Sequence, residues 1–341
     1  MVDYAASGIA LIGAGAWGTT IGNLLASNGL TVGLWAKESH VMQDIADNRF
    51  NDTYLPGIKL SDNLRPIPDS RELLADARLV ILGIPIQYLR HNLRKFQGCV
   101  HPDATLLNLG KGIESSTHRR ASEIIREELG GSHRVACLSG PNIASEVARN
   151  HPGKAVISAS DHKCLEELAT LFTTPNFHLE CNADLIGVEL GGALKNVIAL
   201  GAGIGDGLGF GVNTRSVTVC QGFAEMAMIA EKLGASPRTL YGLAGLGDLL
   251  TTCFSPESRN RRFGEGVGKG LSIEEAAHSL SGRVAEGVET TKSAYQLAQS
   301  MGLRCPIVEA LYGILHCGEN PRLLIEVFDT RQEARRDYQT S

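Results

Sequence analysis

Ile9-Ala10-Leu11-Ile12-Gly13-Ala14-Gly15-Ala16-Trp17-Gly18-Thr19-Thr20-Ile21 is the stretch on which the fold turns. Four apolar residues run straight into glycine. Gly13-x-Gly15-x-x-Gly18 then opens a segment with Ile21, Leu24 and Leu25 on one face, which predicts a helix over 17–28. Asn28-Gly29 is a stop signal, and 30–35 reads as a second strand. Strand, glycine turn, helix and strand in this order make a βαβ unit, the setting in which a G-x-G-x-x-G loop holds a dinucleotide. The first glycine allows the tight turn, the second lets a pyrophosphate reach the backbone, and the third brings helix and strand together. The helix N-terminus offers unpaired N–H groups to the phosphates.

Outward from this unit, the alternation continues. Residues 40–68 read as polar and irregular, 71–77 as a short helix, 79–84 as a strong strand, and Pro85 as the start of another helix. Strands at 105–109 and 135–138 flank a helix at 121–129, and 155–158 and 177–179 supply final strands. Such alternation specifies a parallel sheet covered on both faces. Right-handed crossovers would gather Gly13, Ile84-Pro85, Gly110 and Ser139-Gly140 at one sheet edge. Beyond Asn182 the pattern becomes helical, at 185–203, 214–233, 272–280, 290–301 and 307–317. The expected architecture is α/β, with a doubly wound sheet domain over 1–182 and an all-helical domain over 183–341. The alternating glycines from Gly201 to Gly211 read as a close-packing helix end and loop, and 329–341 as a frayed tail.

Composition narrows the function classes. A net charge of −5 and 5 % aromatic residues give nucleic acid and anionic membrane nothing to hold, so an anionic substrate would need a local cluster of cations. None of the eight cysteines forms a C-x-x-C pair or a zinc-like spacing; they read as small buried hydrophobes in a reducing compartment, and no metal is expected. The first residues lack the basic start of a signal peptide, and no later stretch reads as an uninterrupted membrane span, so the cytoplasm is the expected location.

Three further places carry chemistry. The second strand ends Leu34-Trp35-Ala36-Lys37, without the carboxylate that usually bonds the adenosine ribose of NAD. Lys37 either favours the 2′-phosphate of NADPH or simply points to solvent. Residues 185–197 place Lys195 in an apolar run, where burial would lower its pKa into a proton-transferring range, unless the side chain snorkels. Ser258-Arg259-Asn260-Arg261-Arg262 is a dense cation cluster with neutral donors beside it, suited to a phosphate; Arg261 and Arg262 fit solvated surface equally well.

Together these residues resemble the bacterial-type NAD(P)-dependent sn-glycerol-3-phosphate dehydrogenases over about 8–325. The resemblance rests on Gly13 to Gly18, Gly110-Lys111-Gly112, Ser139-Gly140-Pro141, Ile186-Gly-Val-Glu-Leu-Gly-Gly-Ala-Leu-Lys-Asn-Val197, Gly245-Leu-Gly-Asp248 and Ser258-Arg-Asn-Arg-Arg-Phe-Gly264. It implies a Rossmann domain joined to a helical domain like the C-terminal domain of 6-phosphogluconate dehydrogenase. It further implies NAD(P)H-dependent reduction of dihydroxyacetone phosphate for glycerophospholipid synthesis, and a homodimer. Lys195 then matches the proton-transferring lysine, Lys111 a second active-site lysine, and Asp248 the carboxylate that positions them. Gly140, Asn196, Thr252, Ser258, Arg259 and Asn260 match the substrate's surroundings. Gly13, Gly15, Ala16, Trp17, Gly18, Lys37, Lys111, Ala144, Arg259, Val284 and Glu286 match cofactor contacts. Ala16, Asn142 and Gln221 depart from the residues usual at their positions. A reductase of another small hydroxy acid would need a carboxylate clamp instead of the cluster around Arg259, and a dinucleotide sensor would have no use for a buried lysine.

Overall fold

The computed structural model describes residues 4, 8–159, 161–280 and 285–328. Its first half alternates as β1 (Ile9–Ile12), α1 (Ala16–Ser27), β2 (Val32–Trp35), α2 (Ser39–Asn48), β3 (Leu64–Pro66), α3 (Ser70–Asp76), β4 (Leu79–Leu82) and α4 (Ile86–Lys95). β5 (Thr105–Asn108), α5 (Ala121–Leu129), β6 (Arg134–Ser139), α6 (Ala144–Ala148), β7 (Gly153–Ala159), α7 (His162–Phe172) and β8 (Phe177–Asn182) complete it. The strands form one sheet in the order β3-β2-β1-β4-β5-β6-β7-β8. β1, β4 and β5 are wholly buried, as strands with helices on both faces must be.

The expected Rossmann arrangement is present, with one departure. β7 runs antiparallel to β6, with Ser139 opposite Val156, while β8 follows β7 in parallel. Between β6 and β7 lies only the five-residue α6, so the chain turns back at the edge where β6 ends instead of crossing to the other end of the sheet.

Residues 40–68 are not irregular throughout. α2 buries Val41 and Ile45, one turn apart on an otherwise polar helix, and β3 pairs with β2 through Val32–Leu64.

The second half is helical, as α8 (Leu185–Gly207), α9 (Val212–Lys232), α10 (Pro237–Leu240), one turn of π-helix at Leu243–Gly247, α11 (Asp248–Phe254) and α12 (Arg259–Gly268). α13 (Ile273–His278), α14 (Glu286–Ser300), α15 (Pro306–His316) and α16 (Leu323–Glu326) follow. α8 is the axis on which the others pack, and twenty of its 23 residues are buried. By length and composition it is long and apolar enough to cross a bilayer, although Glu189, Lys195 and several glycines interrupt it; 94 % of its most apolar window is buried inside the protein.

The glycine run is the close-packing helix end and loop expected: Gly201, Gly203, Gly205 and Gly207 lie within α8, Gly209 and Gly211 lie beyond it, and a Cβ on Gly203 would fall 2.0 Å from the Arg261 carbonyl oxygen of α12. Cys137, Cys164, Cys253 and Cys305 are buried as expected, but Cys181, Cys220 and Cys317 are exposed. Val284 and the tail at 329–341 lie outside the described residues.

Candidate active site

The glycine loop has the geometry its spacing implies. Gly13 has φ +105°, and a Cβ there would lie 2.5 Å from the Gly83 carbonyl oxygen at the end of β4. A Cβ on Gly18 would lie 2.7 Å from the Gly13 carbonyl oxygen, so only glycine lets α1 start so close to β1. Gly15 faces open space and precedes α1, whose first turn has no side-chain cap and no acidic residue. Its N–H groups are therefore free for an anion. Trp17 packs edge-on to Phe177, with its indole N–H buried and without a partner. Thr20 donates to the carbonyl of Ala144, the first residue of α6, at 3.3 Å, which lays α6 against α1. Lys37 is exposed just past β2. Open Gly15, unpaired N–H groups and an orphan indole all fit a dinucleotide.

The strand ends converge as the topology requires. Gly13 meets Gly83, and Gly110 packs on the Ile84 carbonyl, where a Cβ would come within 2.7 Å. The Asn108 side chain folds over Gly110, accepting from its N–H at 3.1 Å and donating to its carbonyl at 2.8 Å. That turn presents Lys111, whose Nζ donates to the Gly140 carbonyl at 3.0 Å beyond β6.

Lys111 is also where the two halves of the chain meet. Its Nζ lies 2.6 Å from Oδ2 of Asp248, while Oδ1 of the same carboxylate accepts from Lys195 Nζ. Lys195 further donates to the Thr252 hydroxyl at 2.6 Å, and that hydroxyl donates to the Asp248 carbonyl one turn back on α11. Lys195 is 6 % exposed and Asp248 1 %, so the lysine does not snorkel.

Glycines make this approach possible. A Cβ on Gly192 would fall 2.6 Å from Ser139 Oγ and 3.5 Å from the Lys111 stem, and one on Gly191 2.5 Å from the Ala244 carbonyl of the π-turn that delivers Asp248.

Burial drives the Lys195 pKa down to about 8; Asp248 opposes the shift and the Lys111 ammonium adds to it. An amine poised there both donates and accepts a proton near neutral pH. With both lysines protonated, the trio carries one net positive charge.

The next helix adds the phosphate-suited groups, and separates three arginines that sequence had grouped. Arg259, exposed at the start of α12, forms no hydrogen bond or ion pair with a described residue. Arg261 turns inward to Asp206 at 2.7 Å, and Arg215 binds the other oxygen of that carboxylate, so Arg261 is a strut and not surface charge. Ser258 caps α12, its Oγ accepting from Arg261 N at 3.2 Å. Asn260 is buried; its amide donates to Asn196 Oδ1 and its oxygen accepts from Gly287 N, each at 2.9 Å, which joins α8, α12 and α14. Glu286, first residue of α14, has its carboxyl raised by burial, against the pull of Arg259, Lys111 and Lys195.

Direct contacts thus unite Lys111, Gly140, Lys195, Asp248 and Thr252, with Asn196 and Asn260 as a second joined pair. The sequence reading missed the buried, unpartnered Ser139 Oγ and Asn142 Oδ1 beside Gly140. No sequence pattern marks a hydroxyl left without a partner; Asn142 had drawn notice only as a departure. Among the described residues no three His, Cys, Asp or Glu gather as metal ligands.

A dinucleotide loop on one domain and a buried, proton-competent lysine on the next define a nicotinamide-dependent oxidoreductase. Residues 8–165 match the N-terminal and 184–326 the C-terminal family model of NAD-dependent glycerol-3-phosphate dehydrogenase. Glycerol-3-phosphate dehydrogenase (NAD(P)+) of Corynebacterium jeikeium is 45 % identical over 311 residues, 91 % of this chain and 94 % of the relative. The Geobacillus kaustophilus enzyme of the same name is 41 % identical over 320 residues, 93 % of each chain. The crystal structure of glycerol-3-phosphate dehydrogenase from Coxiella burnetii superposes with a TM-score of 0.91 at 32 % identity, covering 94 % of this chain and 98 % of that one. The chain belongs to the NAD-dependent glycerol-3-phosphate dehydrogenase family.

Proposed function

We propose that this enzyme reversibly reduces dihydroxyacetone phosphate to sn-glycerol 3-phosphate with NAD(P)H, supplying the glycerol backbone of phospholipids in the cytoplasm. The observation that carries the reading is the single Asp248 carboxylate binding both Lys195 and Lys111, with unpaired Arg259 on the adjoining helix. When bound, the nicotinamide would supply the hydride that reduces substrate C2. Lys195, as the ammonium, gives its proton to the C2 oxygen as charge develops there, and takes it back in the oxidative direction. Lys111 polarises that oxygen. Asp248 fixes both amines, and the Gly140 carbonyl fixes Lys111. Arg259, Asn260 and the hydroxyl hydrogen of Ser258 hold the substrate phosphate, with Asn196 orienting Asn260; Thr252, whose one hydroxyl hydrogen goes to the Asp248 carbonyl, borders the substrate by holding Lys195.

Gly13, Gly15, Ala16, Trp17 and Gly18 receive the pyrophosphate, and Ala144, Arg259 and Glu286 complete the cofactor's surroundings, with Val284 a cofactor contact by the family resemblance alone. Exposed Lys37, in place of a ribose carboxylate, supports use of NADPH at least as well as NADH. The domains divide at 182/183, where β8 gives way to α8. Eight free thiols support a reducing compartment. Exposed Val217 and Met228 on α9, with Leu250 and Phe254 on α11, support a homodimer.

NADPH oxidation with dihydroxyacetone phosphate tests the function. The wild type turns over, and Lys195→Ala loses about 10²–10⁴ in kcat. Absence of turnover by the wild type refutes the assignment.

A further inference from the structure

The segment 49–64 carries a buried polar side chain to the glycine loop. It is laid along α1 and fixed at several points: Arg49 donates to the carbonyls of Ser61 and, at 2.8 Å, Leu64; Ser61 N donates to Asn23 Oδ1 at 2.8 Å; and Asn63 donates to the Ala26 carbonyl at 3.2 Å. This delivers Asn51, 1 % exposed, beneath the glycine loop. Its Nδ2 donates to the Ala14 carbonyl and to Thr19 Oγ1, each at 2.8 Å, and the Thr19 hydroxyl donates to the same Ala14 carbonyl at 3.1 Å. Its Oδ1 accepts from Tyr54 N at 3.3 Å, so the amide cannot flip without losing bonds on both sides.

The Ala14 carbonyl and the Gly15 N–H belong to one peptide unit, planar and trans, in which C=O and N–H point in opposite directions. With two donors holding the carbonyl toward the core, the Gly15 N–H is turned the other way. That N–H donates to no described residue, and a side chain placed on Gly15 would meet no neighbour within 4 Å. Were that peptide to flip, a carbonyl oxygen would face the cofactor's pyrophosphate where an N–H is needed. We propose that Asn51, seconded by Thr19, is a positioning residue for the dinucleotide: it sets the orientation of the Ala14–Gly15 peptide so that the loop donates to the pyrophosphate. The inference rests on the glycine loop being the dinucleotide site.

The test is equilibrium titration of the full chain with NADPH and with ADP-ribose, which keeps the pyrophosphate and lacks the nicotinamide. For Asn51→Ala, Kd for both rises about tenfold or more, the scale of a lost hydrogen bond to a charged group. kcat at saturating NADPH and KM for dihydroxyacetone phosphate stay within about twofold of wild type, because the lysine cluster is untouched. Thr19→Val, which removes one of the two donors to Ala14, raises Kd by a smaller factor.

A folded Asn51→Ala protein with wild-type Kd overturns the proposal. So does a rise in Kd matched by equal losses in kcat and substrate KM, which marks general disruption. If Asn51→Ala does not fold, Thr19→Val decides alone, and an unchanged Kd there overturns it. A wild type that binds neither probe is a different failure: it removes the dinucleotide reading and this inference with it.

Discussion

Replacing Asp248 with Asn removes the one negative charge shared by Lys195 and Lys111 while keeping the shape of the side chain. Asp248 works against burial and the second ammonium in setting the Lys195 pKa, so its loss lowers that pKa further below about 8. At about 4 Å and an effective dielectric near 20, one unit charge is worth about 4 kcal/mol, a ceiling of about 3 pH units. Carboxylate partners of this kind usually shift a neighbour by about 1–3 units, which places Lys195 near 5–7 in the variant. Reduction needs the ammonium. With a pKa near 6, the protonated fraction at pH 7 falls from about 0.9 to about 0.1, roughly a tenfold loss in kcat/KM for dihydroxyacetone phosphate. The assay is kcat/KM against pH, at constant ionic strength and saturating cofactor, in both directions. In the variant the alkaline limb for reduction and the acid limb for oxidation move down together, because both report one proton, and reduction recovers as the pH is lowered. An alkaline limb still near 8, with a loss uniform across pH, refutes the argument and leaves Asp248 a geometric role only.

Two predictions concern stability. Burial raises the carboxyl of Glu225 to about 7 from its ordinary 4.5, although Ile307 and Val308 donate backbone N–H bonds to it at 2.7 and 2.9 Å. A carboxyl raised in the folded state favours folding fully below the ordinary value and loses that contribution as pH climbs through 7, here about 2.5 units or roughly 3 kcal/mol. Urea unfolding between pH 4.5 and 8.5 therefore shows wild-type stability falling relative to Glu225→Gln; parallel curves would contradict this. Gly264→Ala would set a Cβ 2.1 Å from the Leu200 carbonyl oxygen, forcing α12 off α8. Thermal unfolding then shows a loss of about 1–3 kcal/mol with a raised KM for dihydroxyacetone phosphate, since Arg259 and Asn260 ride on α12; an unchanged Tm and KM would mean the helices yield freely.

What sequence could reveal followed from local periodicity and turn chemistry. β1, the glycine loop and α1 were legible because each is defined by neighbours in the chain, and the helix 121–129 was bounded correctly by Gly130. α2 escaped because only Val41 and Ile45 are fully buried on it, and β3 because it is three residues ending in proline. The reversal of β7 was invisible, since an apolar strand reads alike in either direction. The lysine helix pointed to a buried amine, but its partners Asp248 and Thr252 lie 53 and 57 residues away. The arginine cluster looked uniform because spacing alone does not show that Asp206, 55 residues earlier, draws Arg261 inward while Arg259 stays free. Asn51 was unmarked for the same reason: its acceptor is 37 residues back, in a segment whose polarity suggested mere solvent exposure.

Four of the glycines, at 191, 192, 203 and 264, have one physical explanation in the site itself. A lysine with a pKa near neutrality must be dry, so it has to sit on a helix enclosed on all sides, and α8 is that helix. Yet a helix enclosed by bulky side chains would hold its neighbours at the usual 8–10 Å and keep Asp248, Lys111 and Asn260 out of reach. Glycine at 191 and 192 admits the π-turn and the Lys111 stem, and glycine at 203 and 264 lets α8 and α12 meet backbone to backbone. Each of these glycines costs about 0.5–1 kcal/mol of helix stability relative to alanine. Alanine would nonetheless be worse at every one of them, because its Cβ would fall within 2.6 Å of a backbone oxygen or of Ser139 Oγ. Backbone approach at these four positions therefore sets the spacing of the site: a larger residue at 191 or 192 is expected to part the lysines and Asp248, and one at 203 or 264 to move α12 with Arg259 and Asn260, before either unfolds the chain.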